Sequence, residues 1–142
     1  MSASELRLHH IGILVPDIPR AVADYCRRFG YQVRTEIVHD PVQTAYVQFL
    51  QLPGETSYIE FVAPDRAESK LSNALRKGGG LNHLCYATSD IETACQRLRA
   101  DGLILLQAPV AAVAFSGRRI AWLMGRDALP IELVERGADG EL

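Results

Sequence analysis

Two histidines and two glutamates stand in duplicated positions of this chain, and they are the residues best suited to do chemistry. His10 recurs as His83, 73 residues later, and Glu60 recurs as Glu132, 72 residues later. Their surroundings repeat as well: Leu8, Asp17, Ile18 and Ala21 return as Leu81, Asp90, Ile91 and Ala94, and Gly30 returns as Gly102. Two imidazoles and two carboxylates form an N2O2 set suited to a divalent first-row ion, with two octahedral positions left for water or substrate. Glu60 lies between Ile59 and Phe61, and Glu132 between Ile131 and Leu133. A carboxylate in such apolar company is costly to bury unless something pairs with it.

These four residues need elements that turn them the same way. LHHIGILV (8–15) is apolar and rich in β-formers, which predicts a strand. Alternation then puts His10, Gly12 and Leu14 on one face and His9, Ile11, Ile13 and Val15 on the other. In the second copy, Leu81–Thr88, the shared face carries His83, Cys85 and Ala87. Each histidine therefore has a small neighbour two residues on, Gly12 or Cys85, which leaves room beside its ring. His9 points the opposite way and reads as a core residue or a hydrogen-bond donor behind the site.

Asp17 is a natural N-cap, and Ile18, Ala21, Val22, Tyr25 and Phe29 follow at helical spacing before Gly30 ends the helix. Strands are predicted at Tyr31–Ile37, Thr44–Gln51 and Ser57–Val62, with His39 and Asp40 in the loop between the first two. The second copy repeats the order. Ser89-Asp90-Ile91-Glu92 has the form of a capping box, Ile91, Ala94, Cys95 and Leu98 make a helix face, and Asp101-Gly102 closes it. Strands follow at Leu103–Leu106, Arg118–Met124 and Ile131–Val134.

Each copy is thus β-α-β-β-β, an α+β architecture of two tandem modules. Module one covers about 7–64, a linker with a helix at Asp65–Lys77 covers about 65–80, and module two covers about 81–136. The expectation is one domain over 1–142. The glycine triplet 78–80 follows a helix and opens a strand, the reverse of a phosphate-binding loop.

Composition narrows the function classes. A net charge of −2 offers no basic face for nucleic acid, and the basic pairs at 27–28, 76–77 and 118–119 read as solvated surface. Three cysteines without paired spacing argue for reduced thiols rather than a zinc ribbon or disulfide framework. No apolar run is long enough to cross a bilayer, and MSASELRLHH lacks a signal-type apolar stretch. No membrane partner is expected, and the expected location is cytoplasmic.

With the repeat and its ligands in hand, the chain resembles the vicinal oxygen chelate superfamily, which includes glyoxalase I, extradiol dioxygenases and bleomycin-type resistance proteins. LHHIGILVPDI (8–18), SYIEFVAP (57–64), GGLNHLCYATSDIETA (79–94) and LPIELVE (129–135) are most similar, in order and spacing, to the methylmalonyl-CoA epimerase branch. The resemblance covers Leu8 to Glu135. It implies an open, curved mixed sheet around a central metal cavity, with His10, Glu60, His83 and Glu132 holding one divalent ion (Co, Ni, Zn, Mn or Mg).

The implied activity is that of a metal-dependent epimerase, isomerase or lyase acting at a carbon alpha to a carbonyl or thioester. The substrate is a small molecule, with an acyl-CoA in view, and the assembly a homodimer. Alternatives are a glyoxalase-I-type lyase and a non-catalytic binding or resistance protein. Glu60 or Glu132 is the candidate base on one face of the substrate. The epimerases' second acid is placed by resemblance in the loop Val38-His39-Asp40-Pro41-Val42, with His39 nearest and Asp40 beside it. Where that branch has a histidine-glycine motif, this chain has Phe115-Ser116-Gly117-Arg118.

Overall fold

The structure is a computed structural model that describes residues 5–138 and 141–142, so positions 1–4 and 139–140 of the expected 1–142 domain lie outside the described residues. The chain divides into two compact units, one formed by residues 10–82 and the other by the N-terminal residues to His9 together with 83–142. Both are α+β, and both are built the same way.

In the first unit the elements are β1 (Arg7–Leu14, which enters it at His10), α1 (Ile18–Phe29), β2 (Gln32–Val33), β3 (Val38–Asp40), β4 (Ala45–Gln51), β5 (Tyr58–Pro64) and α2 (Ser72–Arg76). Its sheet runs β2-β4-β5-β1, with β3 also paired to β4. The β1–β5 pair is parallel and the others antiparallel, which makes the sheet mixed. In the second unit β6 (Gly80–Thr88, which enters it at His83), α3 (Ile91–Ala100), β7 (Ile104–Ala111), β8 (Arg119–Met124) and β9 (Pro130–Glu135) give the order β6-β9-β8-β7. Here too the first and last strands pair in parallel and the rest antiparallel.

Each helix starts where an aspartate caps it. Asp17 accepts from the Arg20 amide and Asp90 from the Thr93 amide, both at 3.1 Å. The cap of α3 is therefore Asp90 and not Ser89 of the expected box. Ser89 is engaged elsewhere: its amide and hydroxyl both donate to Glu5, as does Thr88 Oγ1. The Ser89 bonds, side chain first, hold the Glu5 carboxyl below its ordinary value of 4.5. A depressed folded-state value means that this tether is fully present above that ordinary value. It is lost as pH falls through the folded one. Residues 5–9 thereby join the second unit rather than the module that follows them in sequence.

Each helix covers one face of its own sheet. Ile18 of α1 packs with Leu50, Phe61 and Ala63, and Ile91, Ala94 and Cys95 of α3 pack with Ala121, Leu123 and Leu133. Alternation turns the intervening residues, including the histidines and glutamates, to the opposite face.

Three departures from the expected elements have local causes. The strand expected over Tyr31–Ile37 is only Gln32–Val33, because Thr35 takes over from the backbone ladder: its hydroxyl accepts from the Phe49 amide and its carbonyl from Gln48 Nε2. The chain then re-pairs as β3, so His39 lies in a strand and not a loop. The linker helix is only Ser72–Arg76, because buried Ser69 and Thr44 bond each other, and Thr44 also takes the amides of Asp65 and Lys70. Finally, β7 runs past Leu106 to Ala111 through two register shifts and leads into a 3-10 turn at Val113–Phe115.

Gly79 is the glycine of the triplet whose size matters. Its φ is +66°, and a Cβ there would lie 2.7 Å from the Leu14 carbonyl oxygen. Gly79→Ala is expected to destabilise the protein by about 1–3 kcal/mol, the cost of a side chain in the left-handed region. Thermal unfolding should show the midpoint lowered by several degrees; an unchanged midpoint would contradict the close approach.

Candidate functional site

The duplicated residues meet in pairs, one pair in each unit. In the first, Glu60 lies opposite Gly12 on one side and Phe49 on the other. Only two residues of β1 separate His10 from Gly12, so His10 shares this face. His10 Nε2 approaches Glu60 Oε1 to 3.2 Å, with the side chains 0% and 7% exposed. The His10 ring meets Phe49 edge to face, 5.1 Å between centroids.

The second unit repeats this geometry. Glu132 lies opposite Cys85 on β6 and Trp122 on β8. His83 Nε2 is 3.3 Å from Glu132 Oε1, with the side chains 3% and 6% exposed. The His83 ring meets Trp122 edge to face at 4.9 Å. Duplicated sequence has given duplicated structure: a buried imidazole, a buried carboxylate and an aromatic ring against the imidazole.

Chemically, each pair offers a divalent cation one imidazole nitrogen and one carboxylate oxygen, both desolvated. In the absence of a cation, burial leaves the carboxylate facing an imidazole and little else that is cationic on its strand. The donor types fit a borderline first-row divalent ion better than a thiolate-seeking or purely oxygen-seeking one.

The remaining predicted residues are placed differently. His39 lies opposite Tyr46, so it occupies the face turned away from Phe49 and Glu60. Its ring lies 4.9 Å from Tyr46, and its Nε2 is 2.9 Å from Asp65 Oδ2 on the same side. The structure therefore does not bring His39 to Glu60. Asp40 lies opposite Ala45 and does share the face of Glu60, but four residues farther along β5, about 13 Å by strand rise. It is buried, and its Oδ1 accepts from the amides of Val42 and Gln43, closing the turn after β3. His9 is a core residue, its ring edge to face with Phe115 at 5.4 Å.

Phe49 and Trp122 are the site residues that spacing missed. Both are bulky apolar residues in strands, which reads as ordinary core. Only the register, with each aromatic directly opposite a glutamate, reveals them. Among the described residues none of the three cysteines is in a disulfide, and no helix is long and apolar enough to cross a membrane.

Comparison with known proteins bears on the fold and the family. Residues 9–122 match the model of the Glyoxalase/Bleomycin resistance protein/Dioxygenase superfamily. The ethylmalonyl-CoA/methylmalonyl-CoA epimerase of Cereibacter sphaeroides is 31% identical over 123 residues, 85% of this chain and 90% of that protein. The crystal structure of methylmalonyl-CoA epimerase from Mycobacterium tuberculosis superposes with a TM-score of 0.80 at 29% identity, covering 97% of this chain and 93% of that one. A variant of the Streptomyces coelicolor methylmalonyl-CoA epimerase, solved in complex with 2-nitronate-propionyl-CoA, gives 0.80 at 27% identity, covering 93% and 98%. With four-fifths of its length matched to the family model and its two His–Glu pairs set on the faces opposite the helices, the chain belongs to the Glyoxalase/Bleomycin resistance protein/Dioxygenase superfamily.

Proposed function

We propose that His10, Glu60, His83 and Glu132 together hold one divalent ion, that the two units act as one domain around it, and that the protein is an enzyme moving a proton at the carbon alpha to a thioester carbonyl. The observation that carries this reading is the buried His–Glu pair repeated in both units. One such pair is compatible with an ordinary core; two, in duplicated positions, are the ligand set that the family resemblance implies. When bound there, a divalent ion supplies Lewis-acid polarisation of a carbonyl oxygen.

The chain's own residues do the rest. His10 and His83 serve as neutral nitrogen ligands, each fixed in place by an aromatic ring. Glu60 or Glu132 is the base, whose carboxylate oxygen takes the proton from the alpha carbon. Each pair is buried, with side chains at most 7% exposed, and low exposure strengthens both interactions. The segment 38–42 does not supply the base in this reading, since His39 faces away and Asp40 closes its own turn. An acyl-CoA thioester is the proposed substrate class, in line with the names of the epimerase relatives.

Three measurements test the proposal. Elemental analysis of the purified protein should give close to one divalent ion per chain, and His10→Ala or His83→Ala should each lower occupancy at least tenfold; full occupancy in His83→Ala would exclude the shared site. In heavy water the metal-loaded protein should exchange the alpha proton of 2-substituted malonyl or propionyl thioesters. His39→Ala should leave that exchange within about twofold of the parent, because the ring is on the other face; loss of exchange in this variant would return the base to β3. We also propose a homodimer, supported by apolar residues exposed on the edge strand β7, Ile104 at 67% and Leu106 at 54%. Light scattering at micromolar concentration should give twice the 15.7 kDa chain mass, and a monomer mass would count against it.

A further inference from the structure

Trp122 is the only tryptophan of the chain, and its indole N–H is the one feature of the second unit's site that nothing yet explains. The nitrogen is fully buried and has no hydrogen-bond partner in the structure. A buried donor left unmade forfeits its hydration without return, so such a group calls for a partner in the working state. The surroundings narrow the choice. On β8, Trp122 shares its face with Ile120 and Met124, which offer no strong acceptor. Directly opposite on β9 is Glu132, whose neighbours on that face are Pro130 and Val134. The carboxylate of Glu132 is thus the acceptor that the β8–β9 register sets beside the indole. Opposite Trp122 on the other side, β7 places Gln107. In the first unit the corresponding ring is Phe49, which has no N–H to give.

We propose that Trp122 is a positioning residue for Glu132. Resting on the metal reading above, the inference is that when His83 and Glu132 turn to an ion, the indole N–H donates to the carboxylate oxygen that the ion leaves over. That hydrogen bond fixes the orientation of the carboxylate and makes Glu132 the more rigidly held of the two acidic ligands. Ligating carboxylates are commonly held by such an outer donor, and its removal typically weakens metal binding 10–100-fold.

The test uses zinc as the probe and Trp122→Phe, which keeps a ring against His83 and removes only the donor. Chelator competition should show zinc held 10–100-fold more weakly in Trp122→Phe than in the parent, with unchanged far-UV circular dichroism. In a Glu132→Ala background the same substitution should have no further effect, because its acceptor is gone. In the parent, tryptophan emission reports on Trp122 alone. Its maximum should shift on zinc titration, saturate at one ion per chain, and stay fixed in Glu132→Ala. Equal zinc affinity in parent and Trp122→Phe would overturn this inference while leaving the metal site standing. An equal loss in both backgrounds would overturn it in favour of packing or of Gln107. A parent that binds no zinc or other divalent ion would overturn the metal reading and this inference together.

Discussion

A carboxylate kept inside an apolar sheet face must have a partner, and this requirement organises each half of the molecule. Glu60 and Glu132 sit mid-strand, flanked in sequence by large apolar residues, of which Ile59, Phe61 and Leu133 belong to the helix-covered core. Strand alternation turns the glutamates to the other face, where register sets a histidine within 3.3 Å. Everything else in the unit serves that geometry. The parallel pairing of first and last strands brings histidine and glutamate together, the antiparallel strand beyond delivers the aromatic ring, and the helix seals the opposite face. Removing either member of a pair takes a partner from a buried polar group, and such losses are costly in general.

Much of this was legible in the sequence because it rests on short-range rules. The Asp17 cap of α1, the Gly30 stop, the alternation in β1 and β6, and the duplication of the two histidines and two glutamates follow from spacing alone. What was not legible depends on register or on side chains far apart in sequence. Thr35 displaces the ladder by bonding Phe49 and Gln48, and His39 lies in a strand rather than a loop, on the face turned away from Glu60. Ser69 and Thr44 shorten the linker helix through contacts across 25 residues. Glu5 reaches Thr88 and Ser89 across more than eighty. No periodicity in a single sequence carries such information.

The same contrast bears on specificity. The match over residues 9–122 ties the chain to its superfamily, and two methylmalonyl-CoA epimerase structures share the fold at a TM-score of 0.80. The segment after β2 and the stretch Phe115-Ser116-Gly117-Arg118 are where the resemblance to the epimerase branch implied a departure, and both lie outside the two pairs. Asp40 has become the keystone of a turn, His39 an outward partner of Asp65, and Arg118 a donor to the backbone carbonyls of Phe115 and Glu135. In this chain those residues build structure. The two pairs differ in the ring that meets the histidine: Trp122 carries an N–H where Phe49 has none.

If the two pairs serve one ion, as proposed, two imidazoles must be bound to it, and they can be counted. Pulsed electron paramagnetic resonance of the manganese- or copper-loaded protein, prepared with nitrogen-15 histidine, resolves each coordinated ring by its nuclear coupling. Two equivalent or nearly equivalent histidine nitrogens on a single ion per chain are expected. A spectrum with one histidine nitrogen per ion, or with none, would contradict the proposal.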